Sequence, residues 1–175
     1  MVATPNNRRA QYTQQVIEDT VLQLLETKPV ESISVTEVCQ LADVNRTTFY
    51  RHYTDIFQCL DQIEQTFLAS YSFDKSARPT VNVERMLDAF YQQRRLSNLV
   101  FVGSKTKLLD RMQATIPADV PFANTYQMTY IWSGVKAIIQ QWVKAEMPET
   151  PHELTKIIFR SVLAQDLPPI DPEKL

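Results

Sequence analysis

The stretch VNRTTFYRHY, Val44 to Tyr53, places three aromatics, two arginines, one histidine and two threonines in ten residues, with no glycine, proline or acid. Asn45 is a competent N-cap, so the stretch predicts a short helix from Arg46 to Tyr53. Upstream, SVTE sets Ser34 and Glu37 at capping-box spacing and opens another short helix through Val38, Cys39, Leu41 and Ala42. Two helices of about eight residues joined by a turn at Asp43–Asn45 suggest a helix-turn-helix. Phe49 and Tyr53 are four apart and pack inward with Val44 and Leu41 on this reading. Arg46, Thr47, Thr48, Tyr50, Arg51 and His52 take the other faces. A core helix this short needs few such donors, whereas a helix that reads phosphates and base edges needs them. The plainer alternative is a solvated amphipathic face.

Working outward, Val16, Ile17, Thr20, Val21, Leu24 and Leu25 recur at helical spacing and predict a first helix from about Ala10 to Thr27, behind an arm ending in Arg8 and Arg9. A fourth helix runs from Asp55 to about Tyr71 through Ile56, Leu60, Ile63 and Phe67, and DKSARPTVN reads as a linker. Further helices are expected over Val83–Ser97, Asn98–Val102, Lys105–Ile116 and Pro121–Glu146. A last one is announced by Thr150, Pro151 and Glu153, and QDLPPIDPEKL reads as an extended tail. The chain is all-α, about nine helices in all. Residues 1–55 form a three-helix head, helix four (55–72) connects, and 73–175 form a helical ligand-binding and dimerisation domain.

Composition bounds the function. The 175 residues are 44% hydrophobic, enough for a core, and the two glycines, Gly103 and Gly134, argue against hairpin-rich or dinucleotide-binding folds. A net charge of −2 and a pI near 5.7 give no bulk attraction to nucleic acid. Through Asp55 five cations face seven acids, but four of the five, Arg8, Arg9, Arg46 and Arg51, lie in the arm or the third helix. Placement therefore matters more than net charge. Cys39 and Cys59 sit in apolar helical patterns and read as reduced core thiols; neither a metal site nor a cofactor is expected. With no signal peptide and no membrane-length apolar run, the expectation is a cytoplasmic protein without a membrane partner. Two histidines, His52 and His152, and no nucleophile–base pair or carboxylate pair at a meaningful spacing argue against an enzyme.

From Thr13 to Leu60, and above all over ISVTEVCQLADVNRTTFYRHY, the chain resembles the N-terminal DNA-binding domain of TetR/AcrR-family transcriptional regulators, in a branch common in low-GC Gram-positive bacteria. Ile33, Val38, Ala42, Val44, Asn45, Thr47, Thr48, Phe49, Tyr50 and His52 carry the match. The resemblance implies base reading by Thr36, Arg46, Thr47 and Thr48 and phosphate contacts by Tyr50 and His52. Asn45, Arg51, Arg8 and Arg9 complete the expected DNA-binding set. Two positions depart from the pattern: Asp43 replaces the family's turn glycine, and Ile56 stands near the usual basic residue of helix four.

The resemblance extends more weakly to YIWSGVKAIIQQWVKAEMPETPHELTKII, like the last two helices of that branch, which pair with their symmetry mates. It implies a homodimer through Ile131, Trp132, Val135, Ile138, Ile139, Trp142, Leu154, Ile157 and Ile158. A monomer core is the alternative use of the same stripes. The family's inducer pocket would fall on Tyr91, Arg94, Arg95, Met112, Tyr126, Met128 and Trp132. The function so implied is a repressor that binds a palindromic double-stranded DNA operator and is released or modulated by a small-molecule or protein effector. The competing reading is a helical adaptor, or a coregulator controlled by a protein partner, that uses its apolar C-terminal helices.

Overall fold

The computed structural model describes residues 5–70, 74, 76–103, 105–115 and 125–163. Residues 1–4, 71–73, 75, 104, 116–124 and 164–175 lie outside them, among them the expected end of helix four at Tyr71, Ile116, the expected start of the long helix at Pro121 and the tail. The order is α1 (Pro5–Thr27), a single 3-10 turn (Val30–Ser32), α2 (Val35–Leu41), α3 (Arg46–His52), α4 (Ile56–Ser70), α5 (Pro79–Gln92), α6 (Arg94–Phe101), α7 (Leu108–Thr115), α8 (Thr125–Lys144) and α9 (Pro151–Leu163). Among the described residues no strand occurs, and no helix is long and apolar enough to cross a membrane.

The helix ends follow local chemistry. Ser34 Oγ accepts from the Glu37 amide at 3.2 Å, but the Glu37 carboxylate is taken by Lys28 Nζ, so the predicted capping box is met on one side and tied on the other to the residue that follows α1. Asn45 Oδ1 caps α3, accepting from the amide and the hydroxyl of Thr48 at 2.7 and 2.9 Å. Between them Asp43 adopts φ 50° and the Val44 amide returns to the Cys39 carbonyl at 3.0 Å. This is a Schellman closure in which aspartate takes the left-handed position that glycine usually fills. Thr150 and Glu153 form the full reciprocal box at the start of α9.

Four boundaries differ from the sequence expectation, one of them the start of α7, which falls at Leu108 and not at Lys105. Arg8 and Arg9 lie within α1, because the helix extends back to Pro5 and leaves no arm at these positions. α5 likewise begins at Pro79, four residues early, with proline in its first turn. The break between α5 and α6 falls at Gln93 (φ −116°, ψ 59°), not after Ser97; the buried Ser97 hydroxyl bonds to the Phe90 and Gln93 carbonyls at 2.7 and 3.0 Å.

α1 carries the head onto the body. Its buried Ile17, Val21, Leu24 and Leu25 fall at successive helical turns, and α1 packs on α2, α4 and α6. α5 pairs with α9, and α6 with α8. The buried residues form one continuous core from Ile17 to Ile158, with Phe90 against Phe67 and Phe101 at ring separations of 4.6 and 4.9 Å. Arg95 on α6 donates to Glu26 on α1 at 2.7 Å, a polar tie across the same seam.

Candidate nucleic-acid interface

α3 is anchored by one face. Phe49 is fully buried among the head helices and meets Tyr53 at 5.8 Å, while the Tyr53 hydroxyl donates to Glu18 Oε1 of α1 at 2.6 Å. Burial first, and then the bond to a carboxylate, push the Tyr53 pKa well above the ordinary phenol value. Leu41, expected in this cluster, is instead 58% exposed. It occupies the last turn of α2, and Val38, Cys39 and Ala42 already fill the face toward α3.

The opposite face is donor-rich and open. Arg46, Thr47, Tyr50 and Arg51 are exposed, and Thr48 and His52 are half-buried. Thr36, at the start of α2, is exposed too, and its hydroxyl accepts from Arg46 Nη2 at 2.6 Å. This bond joins the leading ends of the two short helices. Asn45 and Thr48 have a local duty: the Asn45 carboxamide oxygen is already shared by two Thr48 donors. Arg8 and Arg9 are exposed on the first turns of α1.

The expected dimer set divides by burial. Ile139, Trp142, Leu154 and Ile158 are buried in the protomer's own core and present no face to a second copy. Trp142 also donates from its indole to the Glu149 carbonyl at 3.0 Å. Ile131, Trp132, Val135 and Ile138 are half-buried, and Ile157 is 40% exposed. The stripe is wide because its two edges have different fates, one in the core and one at the surface.

The expected effector residues have separate contacts, and none of them lines a cleft that opens beside α4. Tyr91 stacks on Trp142 at 6.0 Å, the Arg94 guanidinium lies 4.6 Å from the Tyr91 ring centroid, and Arg94 donates to the Glu146 carbonyl at 2.9 Å. Arg95 serves the α1 tie, Met112 is buried, Met128 is half-buried, and Tyr126 is 87% exposed. This separate cleft beside α4 is lined by residues that include Asp61, Glu64, Lys105, Lys107 and Arg111. Its signal in the sequence is Glu64, four residues after Leu60 on the apolar stripe of α4. Among the described residues no group of three or more metal-ligating side chains is assembled.

No family model matches the sequence, and no curated protein matches it. Solved structures do match its fold. A TetR transcriptional regulator from Streptococcus agalactiae 2603V has a TM-score of 0.63 at 19% identity, over 90% of this chain and 97% of that one. The dihydroxyacetone kinase operon activator DhaS has a TM-score of 0.52 at 18% identity, over 87% of this chain and 95% of its own. The fatty acid degradation regulator FadR from Bacillus halodurans has a TM-score of 0.53 at 10% identity, over 94% and 98% respectively. The helix order, the α2–α3 motif and this likeness together give the chain the fold of a TetR transcriptional regulator.

Proposed function

We propose that the chain is a sequence-specific DNA-binding transcriptional regulator, a repressor that binds a palindromic operator as a homodimer and responds to an effector. One observation carries this reading. α3 is anchored in the core by Phe49 and Tyr53 while Arg46, Thr47, Tyr50 and Arg51 stand exposed on its other side. Arg46 and Thr47 occupy the first turn, the end of a recognition helix that meets base edges. Tyr50, Arg51 and His52 are suited to phosphates flanking those bases. On this reading residues 1–55 are the DNA-binding head, α4 the connector and 73–175 the regulatory and dimerisation part.

Gly134 supports the homodimer. It lies midway along a helix of 20 residues, and a Cβ added there would meet nothing within 4 Å among the described residues. Glycine in mid-helix costs roughly 0.5–1 kcal/mol relative to alanine, and no packing among the described residues accounts for it. It lies on one face of α8 with Ile131, Val135 and Ile138, where its missing side chain suits close approach by a second helix.

Selection of bound sites from random duplexes, followed by titration of the selected duplex against competitor DNA, tests the function. A salt-sensitive, sequence-selective complex on a two-fold symmetric site is the expected result. Retention of no duplex above competitor would overturn it.

A further inference from the structure

A cleft of about 810 Å³ opens between the head side of α4 and the connection from α6 into α7, within the size range of small-molecule sites. Its charges are segregated by wall. The four acids, Glu31, Asp55, Asp61 and Glu64, come from the Val30–Ser32 turn and from α4 or its approach; the three cations, Lys105, Lys107 and Arg111, come from the α6–α7 connection and α7. Pro29, Val30, Phe57 and Leu60 add apolar surface to the acidic side, and Phe57 is exposed.

Glu64 lines this cleft although it is only 2% exposed. Its Oε1 accepts from the Lys107 amide at 3.1 Å. Arg111 Nε lies 3.1 Å from Oε2, an ion-pair distance, yet among the described residues Oε2 accepts no hydrogen bond. The charge is answered, but the lone pair is not. Burial raises the Glu64 pKa, against the lowering effects of the Lys107 amide and Arg111, as expected for a carboxylate short of donors. Arg111 has a second anchor in Asp61, so it can keep that bond while another donor takes Glu64.

We propose that this cleft binds a small zwitterion bearing an apolar group, of the chemical type of an α-amino acid. Its ammonium takes the place of Arg111 Nε at Glu64 Oε2, an atom closed to solvent in this structure, while Arg111 keeps Asp61. Its carboxylate faces Lys105 and Lys107, and its apolar group covers Phe57 and Leu60. A purely cationic ligand meets Arg111 and the lysines; a purely anionic one meets Asp61 and Glu64. Only a dipole suits both walls. The site deepens the regulator reading and rests on it for its consequence: the ligand bridges α7 to α4, the helix that directly follows α3.

Calorimetric titration of the full chain without DNA decides the site, using L-phenylalanine and L-leucine as probes beside phenethylamine and 3-phenylpropionate. Saturable binding of at least one amino acid is expected, with the two half-analogues weaker by about tenfold or more, the scale of one missing charge-assisted hydrogen bond. Glu64→Gln should lose a similar factor. The double variant Lys105→Ala/Lys107→Ala should abolish the advantage of phenylalanine over phenethylamine, and it decides the matter if Glu64→Gln fails to fold. No saturable amino-acid binding, phenethylamine binding as well as phenylalanine, or unchanged affinity in the folded variants would each overturn the proposal. Retention on random duplexes, run in parallel, separates the two readings. Amino-acid binding without DNA retention refutes the regulator and leaves the cleft; DNA retention without amino-acid binding does the reverse.

Discussion

Arg46 Nη2 donates to Thr36 Oγ1 at 2.6 Å, so the first residue of α3 is held by the second residue of α2 before any partner arrives. A guanidinium with one donor occupied locally still has four for a base edge or phosphate, and it gives up less side-chain freedom on binding.

Arg46→Ala should therefore weaken the selected operator by about 1–3 kcal/mol and relax preference at one base pair in each half-site. Thr36→Val, which removes only the local acceptor, should cost less and leave the preference in place. Tyr50→Phe and His52→Ala should weaken all duplexes about equally, since phosphates carry no sequence information. Titrations against the operator and its single-base variants check this. A uniform loss for all four substitutions would refute the division of roles.

Affinity should be governed by salt. A dimer neutralising about eight phosphates should show log K falling against log salt with a slope of about −0.9 per phosphate. Arg51→Ala should make that slope shallower by about one unit for each phosphate left unneutralised. Titrations across a salt series measure both, and a flat response would show that the α3 face does not meet DNA.

The half-exposed and buried parts of the α8–α9 stripe should separate cleanly. Ile157→Glu places a charge at a solvent-reaching position, so the protomer should stay folded while the dimer dissociates and operator affinity falls. Ile139→Ala, at a buried position, should cost about 2–5 kcal/mol of stability instead. Gly134→Ala should stabilise the helix by up to about 1 kcal/mol and weaken dimerisation. Sedimentation beside thermal melts distinguishes the three; a monomeric Ile157→Glu protein with full operator affinity would remove the dimer mechanism.

Tyr53 makes the head sensitive to alkali. Its folded pKa lies above the unfolded value of 10.0 because of burial and the bond to Glu18. Above about pH 10 the unfolded chain releases this proton while the folded chain retains it, so stability present at neutral pH declines as pH rises. Cys59, pushed up to about 12 mainly by burial, adds loss in the same direction above its own unfolded value of 9.0. Tyr53→Phe should cost about 1.5–3 kcal/mol at pH 7, the range for a hydrogen bond to a charged group. It should also flatten the decline from about pH 9 to about pH 11 in urea denaturation. An equally steep decline in the variant would place the alkaline sensitivity elsewhere.

The cap residues were legible in the sequence because their chemistry is local. Asn45 and Thr150 with Glu153 act over three residues, and the Val44–Tyr53 stretch displayed its donors and its two anchors within ten positions. Asp43 in the left-handed turn was equally readable, since aspartate is among the few residues besides glycine that tolerate that conformation. The Gln93 break was not, because the Ser97 hydroxyl that marks it bonds to carbonyls four and seven residues back.

The sequence alone thus determined which segments are helical, where α2, α3, α4 and α9 begin and which side of α3 carries donors, because hydrogen-bonded turns and helical periodicity depend on neighbours within a few residues. Tertiary structure decided which apolar face is core and which remains open: Ile139 and Ile157 look alike in the sequence, yet one is buried and the other reaches solvent. It alone brought Glu64 and Asp61 to Arg111, 47 and 50 residues apart along the chain, since ion pairs across a seam depend on how helices pack rather than on what surrounds each residue in sequence.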